Sequence, residues 1–196
     1  MCSWRRSLFV YHQFLMVAHE VLKKYPDYQF VFITLTIKNC SSERLSEEIT
    51  HLIKSFDRLK SYKRFQAIKG IFRTNEVTYN PLNRDYHPHI HAIGVVPSSY
   101  FKGGVYVSQE ELIQLWKKAL QVDYDPNVDI RKVRNKHSNI PTINESLIDL
   151  DYSLDESLAG AAAEVAKYSV KVQDIIDPKP KKEDSPEMVK ARVSMA

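Results

Sequence analysis

An α+β domain, with a mainly antiparallel sheet and helices packed against one face, is predicted by three features of this chain. Long stretches repeat apolar residues every three or four positions, as amphipathic helices do. Between them lie short runs dense in β-branched and aromatic residues, as buried strands are. Two of these runs are parted only by a turn-rich break, which implies a hairpin.

The elements follow in order. Trp4, Leu8, Tyr11, Leu15, Ala18 and Leu22 form one face of a first helix. It ends near Tyr25-Pro26-Asp27, since proline disfavours helix at the residue before it. Phe30 to Ile37 reads as a buried strand. A second helix is expected from about Ser42 to Tyr62, burying Leu45, Ile49, Leu52, Phe56 and Leu59. The strand pair spans Ala67 to Tyr79 and His87 to Val96, around Asn80-Pro81-Leu82-Asn83-Arg84-Asp85. Ser108-Gln109-Glu110-Glu111 is a capping box that opens a third helix running to Leu120. Val128 to Val133 alternates like an edge strand, and Asp155 to Val172 reads as a fourth helix. The Pro-, Lys- and Glu-rich residues 177–196 are expected to be a disordered tail.

Composition narrows the class. Of the 196 residues, 43% are hydrophobic and 27% charged, as in a globular domain with a core. No apolar run approaches the roughly 20 residues of a membrane span. The N-terminus carries no signal-peptide pattern. Two cysteines, Cys2 and Cys40, give no disulfide framework, so a reducing, cytoplasmic setting is expected. The net charge of +4 is too small to imply nucleic acid by itself. Placement says more: Arg58, Lys60, Lys63 and Arg64 cluster before the hairpin, and Arg131, Lys132, Arg134 and Lys136 after the edge strand. Such clusters either track phosphates or form solvated surface.

The sharpest feature is Tyr86-His87-Pro88-His89-Ile90-His91-Ala92-Ile93. Side chains two apart on a strand share a face, so His87, His89 and His91 point together. Imidazoles preset by a rigid backbone suit a metal. Pro88 marks the strand edge, so His89 and His91 are the expected ligands, with His87 in reserve. Antiparallel pairing would bring Glu76 across from them and complete a two-His, one-carboxylate set for a divalent cation. Glu76 also reads as an ordinary exposed strand residue, and Asp85 is a weaker candidate on the turn.

A second feature lies in Ala161-Ala162-Ala163-Glu164-Val165-Ala166-Lys167-Tyr168-Ser169-Val170-Lys171. Helical geometry groups Leu158, Ala162, Val165, Ser169 and Val172 as a packing stripe. Glu164, Tyr168 and Lys171 fall on another, uniting a carboxylate, a phenol and an ammonium. Alternatively, Tyr168 caps the apolar edge and Glu164 makes surface pairs with Lys167 and Lys171.

Together, Phe32-Ile33-Thr34-Leu35-Thr36, His87-Pro88-His89-Ile90-His91 and Glu164 to Lys171 resemble three successive motifs of one family. These are the rolling-circle replication initiators of small plasmids of Gram-positive bacteria. They are HUH endonucleases, named for a His-hydrophobic-His pair, here His89-Ile90-His91. The resemblance covers about residues 2–175. It implies a ferredoxin-like antiparallel sheet within a nicking and strand-transfer domain at 1–176. It further implies Mg²⁺ or Mn²⁺ held by His89, His91 and an acidic residue, with Tyr168 as the nucleophile that joins DNA. Glu164, four residues before the tyrosine, would serve the closing cleavage, and Lys171 would contact a phosphate. Arg131 and Lys132 are the further DNA contacts expected. Implied partners are plasmid origin DNA and the host helicase and polymerase. Relatives carry a Cys-Pro-x-Cys element just before a Trp-Arg pair. Here Met1-Cys2-Ser3-Trp4-Arg5 is expected to begin inside it, and Cys2 alone cannot build a structural zinc site.

Other readings share some of these features. A relaxase or single-tyrosine transposase would use the same chemistry on other DNA. A noncatalytic nucleic-acid-binding module would show paired aromatics on the sheet face. A zinc hydrolase would use His87, His89 and His91 together.

Overall fold

The computed structural model describes residues 3–133, with side chains from residue 9 onward. The expected fourth helix, with Glu164, Tyr168 and Lys171, lies outside the described residues. So do Arg134, Lys136 and the tail.

Helix α1 (Ser3–Lys24) is followed by β1 (Gln29–Thr36), α2 (Leu45–Ser61), β2 (Gly70–Asn80), β3 (Asp85–Val96), α3 (Gln109–Leu120) and β4 (Val128–Lys132). The sheet order is β2-β3-β1-β4, and each neighbouring pair is antiparallel. After α1 the chain thus runs βαββαβ, the ferredoxin-like pattern. β4 sits at an edge, as its short alternating sequence suggests.

Local sequence explains most boundaries. α1 stops one residue before Tyr25-Pro26, with Lys23 and Lys24 in its last turn, where cations complement the helix dipole. Ser108 caps α3, its hydroxyl accepting from the Glu111 N–H at 3.2 Å. Gln121 ends that helix in the left-handed region, its N–H donating to the carbonyls of Lys117 and Lys118. In the hairpin turn the Asn80 side-chain oxygen accepts from the N–H groups of Leu82 and Asn83. β2 begins three residues later than the sequence suggests, because Phe65–Ala67 form a 3-10 turn.

The helices do not share one face, as the sequence pattern had implied. Val31, Ile33 and Leu35 of β1, with Ile90, Ala92 and Val96 of β3, pack against Leu52, Phe56 and Leu59 of α2 and Leu112 and Trp116 of α3. On the other side Phe14, Leu15 and Ala18 of α1 cover Phe30, Phe32 and Ile93. A strand apolar on both faces needs a layer on each side. β1 is such a strand, and α1 supplies the second layer. Ile93 therefore shares the histidine face and is buried there by α1, whereas Ile90 faces α2 and α3.

Two contacts fix the centre. Trp116, fully buried, donates its indole N–H to the Thr36 carbonyl at 2.7 Å, tying α3 to the end of β1. Gly94 lies where β3 passes closest to its neighbours. A Cβ there would stand 2.8 Å from Ile68 Cγ2 and 3.0 Å from Val31 Cγ2, and both residues are buried. Overpacking of this kind costs about 1–3 kcal/mol. A Gly94→Ala protein is accordingly expected to unfold at lower urea, with an unchanged denaturant slope. An unchanged midpoint would show that the layers separate easily at this point.

Candidate metal centre

Register builds the centre. β2 and β3 pair so that Glu76 stands opposite His89 and Thr74 opposite His91. β1 pairs Thr36 with His89 and Thr34 with His91. Side chains opposite one another in an antiparallel pair share a face, so Glu76, His89, His91, Thr34 and Thr74 all project to the α1 side of the sheet.

The two histidines and the glutamate converge. Glu76 Oε2 is 2.9 Å from His89 Nε2 and 3.0 Å from His91 Nε2. One potential ligand atom from each lies within 4.8 Å of the others. Glu76 is 4% exposed and each histidine 7%, so the ordinary exposed-strand reading of Glu76 is set aside.

The far side of each ring is held too. His89 Nδ1 is 2.9 Å from the His87 carbonyl, and His91 Nδ1 is 3.2 Å from the Thr34 hydroxyl. A carbonyl can only accept, so the Nδ1 proton of His89 is committed to it. Nε2 then either carries a second proton for Glu76 or presents a lone pair to a cation between them. Partners that fix the tautomer in this way are usual behind metal-ligating histidines. Two imidazoles and a carboxylate, with no thiolate, suit a borderline or hard divalent cation. The donor set fits the expected metal.

His87 does not join the cluster. Its Nδ1 is 2.6 Å from Asn39 Oδ1, while its ring lies 5.2 Å from that of His89. Burial, then the neighbouring His89, pushes its pKa below the ordinary histidine value, against the pull of Asp85 and Glu76. Asp85 begins β3 and is likewise not part of the converging set.

The two β4 cations part company. Arg131 pairs with Phe32 and faces the histidine side, its guanidinium 5.0 Å from the Phe32 ring centre. Lys132 faces the α2 and α3 side, its ammonium 5.2 Å from the Phe101 ring centre. In the other basic cluster, Arg58 donates to the Ala119 carbonyl and Ser55, and Arg64 is paired with Glu111. Both tie helices and loops together rather than offering free charge.

Sequence reasoning passed over Thr34 and Asn39 as partners of histidines. Thr34 carried a signal: it and Thr36 are polar residues at spacing two in an otherwise apolar strand. Asn39 carried none, because its loop meets β3 only in the folded chain. Among the described residues, no helix is long and apolar enough to cross a membrane.

A family model described as replication protein, Rep_1, matches residues 1–193. A Rep protein of Streptococcus pneumoniae is 40% identical over 176 residues, covering 87% of this chain and 49% of that protein. A Rep protein of a Bacillus species is 37% identical over 177 residues, 90% of this chain and 56% of its own length. A replication protein of Staphylococcus aureus is 35% identical over 163 residues, 82% of this chain and 63% of its own. The chain thus spans about half the length of the first two relatives. No solved structure matches it. A family match over nearly the whole chain and identities of this size place it plainly: the chain belongs to the Rep_1 replication-protein family, that of the Rep proteins of Gram-positive plasmids.

Proposed function

We propose that this chain cuts one strand of plasmid origin DNA and stays joined to it through Tyr168, starting rolling-circle replication. The convergence of Glu76, His89 and His91 on one point of a sheet face carries the reading. These three would hold Mg²⁺ or Mn²⁺, which when bound polarises a phosphate oxygen and offsets charge in the transition state.

The remaining steps belong to the chain's own residues. The Tyr168 oxygen attacks phosphorus, forming a phosphotyrosyl bond to the 5′ side and breaking the bond to the 3′ oxygen. The leaving 3′ oxygen takes up a proton and becomes the hydroxyl that primes a host polymerase behind a host helicase. A free phenol has a pKa near 10, so Tyr168 must lose its proton as it attacks. The bond energy is conserved, because one phosphoester replaces another. In the closing step Glu164 accepts the proton of an attacking water or hydroxyl. Lys171 contacts a phosphate.

A noncatalytic binding module is disfavoured by the same face. Its aromatic residues Phe30 and Phe72 are covered by Phe14 of α1, with ring centres 6.3 and 5.4 Å away, and are not a platform for bases. A three-histidine zinc hydrolase is disfavoured because Glu76, not His87, completes the cluster.

The test is direct. The protein is incubated with Mn²⁺ and an origin-derived single strand, then denatured. A protease-sensitive protein–DNA adduct that needs the metal is expected. Cleavage that leaves free 5′ ends, or no cleavage at all, would overturn the reading.

A further inference from the structure

We infer that Arg131 anchors the DNA at this centre, gripping a phosphate that flanks the one to be cut. The inference deepens the proposed function and rests on it for where the cut falls. The strand binding it describes can be measured without any cut.

Position comes from the register. Thr34 of β1 stands between Asp129 of β4 and His91 of β3, and Phe32 stands between Arg131 and Ile93. The Phe32 ring lies 5.7 Å from the His91 ring, tilted by 33°, and the Arg131 guanidinium lies 5.0 Å from the centre of the Phe32 ring. Arg131, Phe32 and His91 therefore form one row of touching side chains on the same side of the sheet, with Phe32 and His91 buried and Arg131 at its exposed end. β4 and β3 are two strand spacings apart, about 10 Å. The cluster also reaches β2 and lies one to two rows along the strands, so a backbone phosphate over Arg131 would be a different one from that at the Glu76–His89–His91 cluster.

Chemistry agrees with position. The Arg131 side chain is 62% exposed, yet it is not left to wander. Phe32 supports its plane, and Asp129 Oδ2 lies 3.5 Å from Nε. A guanidinium has five N–H donors, and the Asp129 contact lies at Nε. Planar, bidentate donation is what makes arginine suited to phosphate. Asp129 also repels a phosphate, so the grip must come from beyond it, where the exposed end of Arg131 extends. The adjacent Lys132 is spent on the opposite face over Phe101. Sequence treated the two cations as one cluster, and strand alternation separates them.

Fluorescence anisotropy of labelled oligothymidylate in EDTA tests this without cleavage. Loss of one phosphate contact on a single strand makes the salt dependence shallower by about 0.7. Arg131→Ala is expected to show that change, with binding about tenfold weaker at low salt. Arg131→Lys should fall between, and Lys54→Ala, an equal loss of charge on α2, should bind as the wild type does. With an origin strand and Mn²⁺, Arg131→Ala should raise KM more than it lowers kcat. Should Arg131→Ala fail to fold, Arg131→Lys, which keeps an alkyl stem over Phe32, carries the test. Wild-type affinity and slope in both variants would overturn the anchor, as would a wild-type protein that does not bind the oligonucleotide. A protein that binds through Arg131 but forms no adduct would overturn the cleavage reading and leave the anchor standing.

Discussion

A Tyr168→Phe protein is expected to form no adduct with an origin strand in the presence of Mn²⁺, a loss on the order of 10³-fold or more. The substitution removes one oxygen and keeps the ring, so it separates chemistry from packing. If Tyr168 merely caps an apolar edge, phenylalanine serves as well, and both adduct and thermal midpoint stay where they were. If it is the nucleophile, the covalent bond has no atom to form on. Glu164→Gln probes the second half of the cycle. It should still give the first adduct but release closed product slowly, because the amide cannot take the proton. An adduct that survives Tyr168→Phe would move the nucleophile to another of the chain's tyrosines.

The histidine centre was readable because strand geometry is a strong constraint. A period of two dictates that His87, His89 and His91 share a face. The hairpin break at Asn80 to Asp85 then brings Glu76 into register with His89, which is the pairing observed. The reason given for setting His87 aside does not hold: Pro88 is not the strand edge, since β3 starts at Asp85 and pairs Pro88 with Val77 and His87 with Thr78, and His87 stays out of the cluster because Asn39 takes its Nδ1. The side of the sheet taken by each helix was not readable. Phe30 and Phe32 alternate with Val31 and Ile33 in a run that is apolar throughout, so nothing in it tells which layer covers which face. The partners behind the rings were hidden for a different reason. The Thr34 and Asn39 contacts with histidines span 57 and 48 residues of chain and exist only through folding. The basic clusters were ambiguous for the same reason: Arg64 read either as a phosphate contact or as solvated surface, and instead holds Glu111 and the 104–106 loop. A charge in sequence carries no information about whether another side chain has already claimed it.

Removing any one of Glu76, His89 or His91 is expected to weaken Mn²⁺ binding on the order of a hundredfold or more, whereas His87→Ala should bind it nearly as the wild type does. The readout need not be activity. A cation that binds only the folded chain raises its stability by about 2.7 kcal/mol at a hundred times its dissociation constant. The wild type and His87→Ala should therefore gain thermal midpoint as Mn²⁺ is added, and the three ligand variants should not. Glu76→Gln sharpens the point. It keeps the shape between the two imidazoles but brings no negative charge, so it should fold and still fail to gain. The metal-free stabilities carry separate information. In the absence of a cation the Glu76 carboxylate bridges both Nε2 atoms. His89→Ala removes one of those partners, and a buried carboxylate left with fewer partners costs stability. The ligand variants should thus start lower than the wild type and stay flat. A variant that starts lower but still gains with Mn²⁺ would mean that its residue supports the fold without holding the ion. The reverse pattern, gain lost in His87→Ala and kept in His89→Ala, would move the site one step along β3, toward the Asn39 contact.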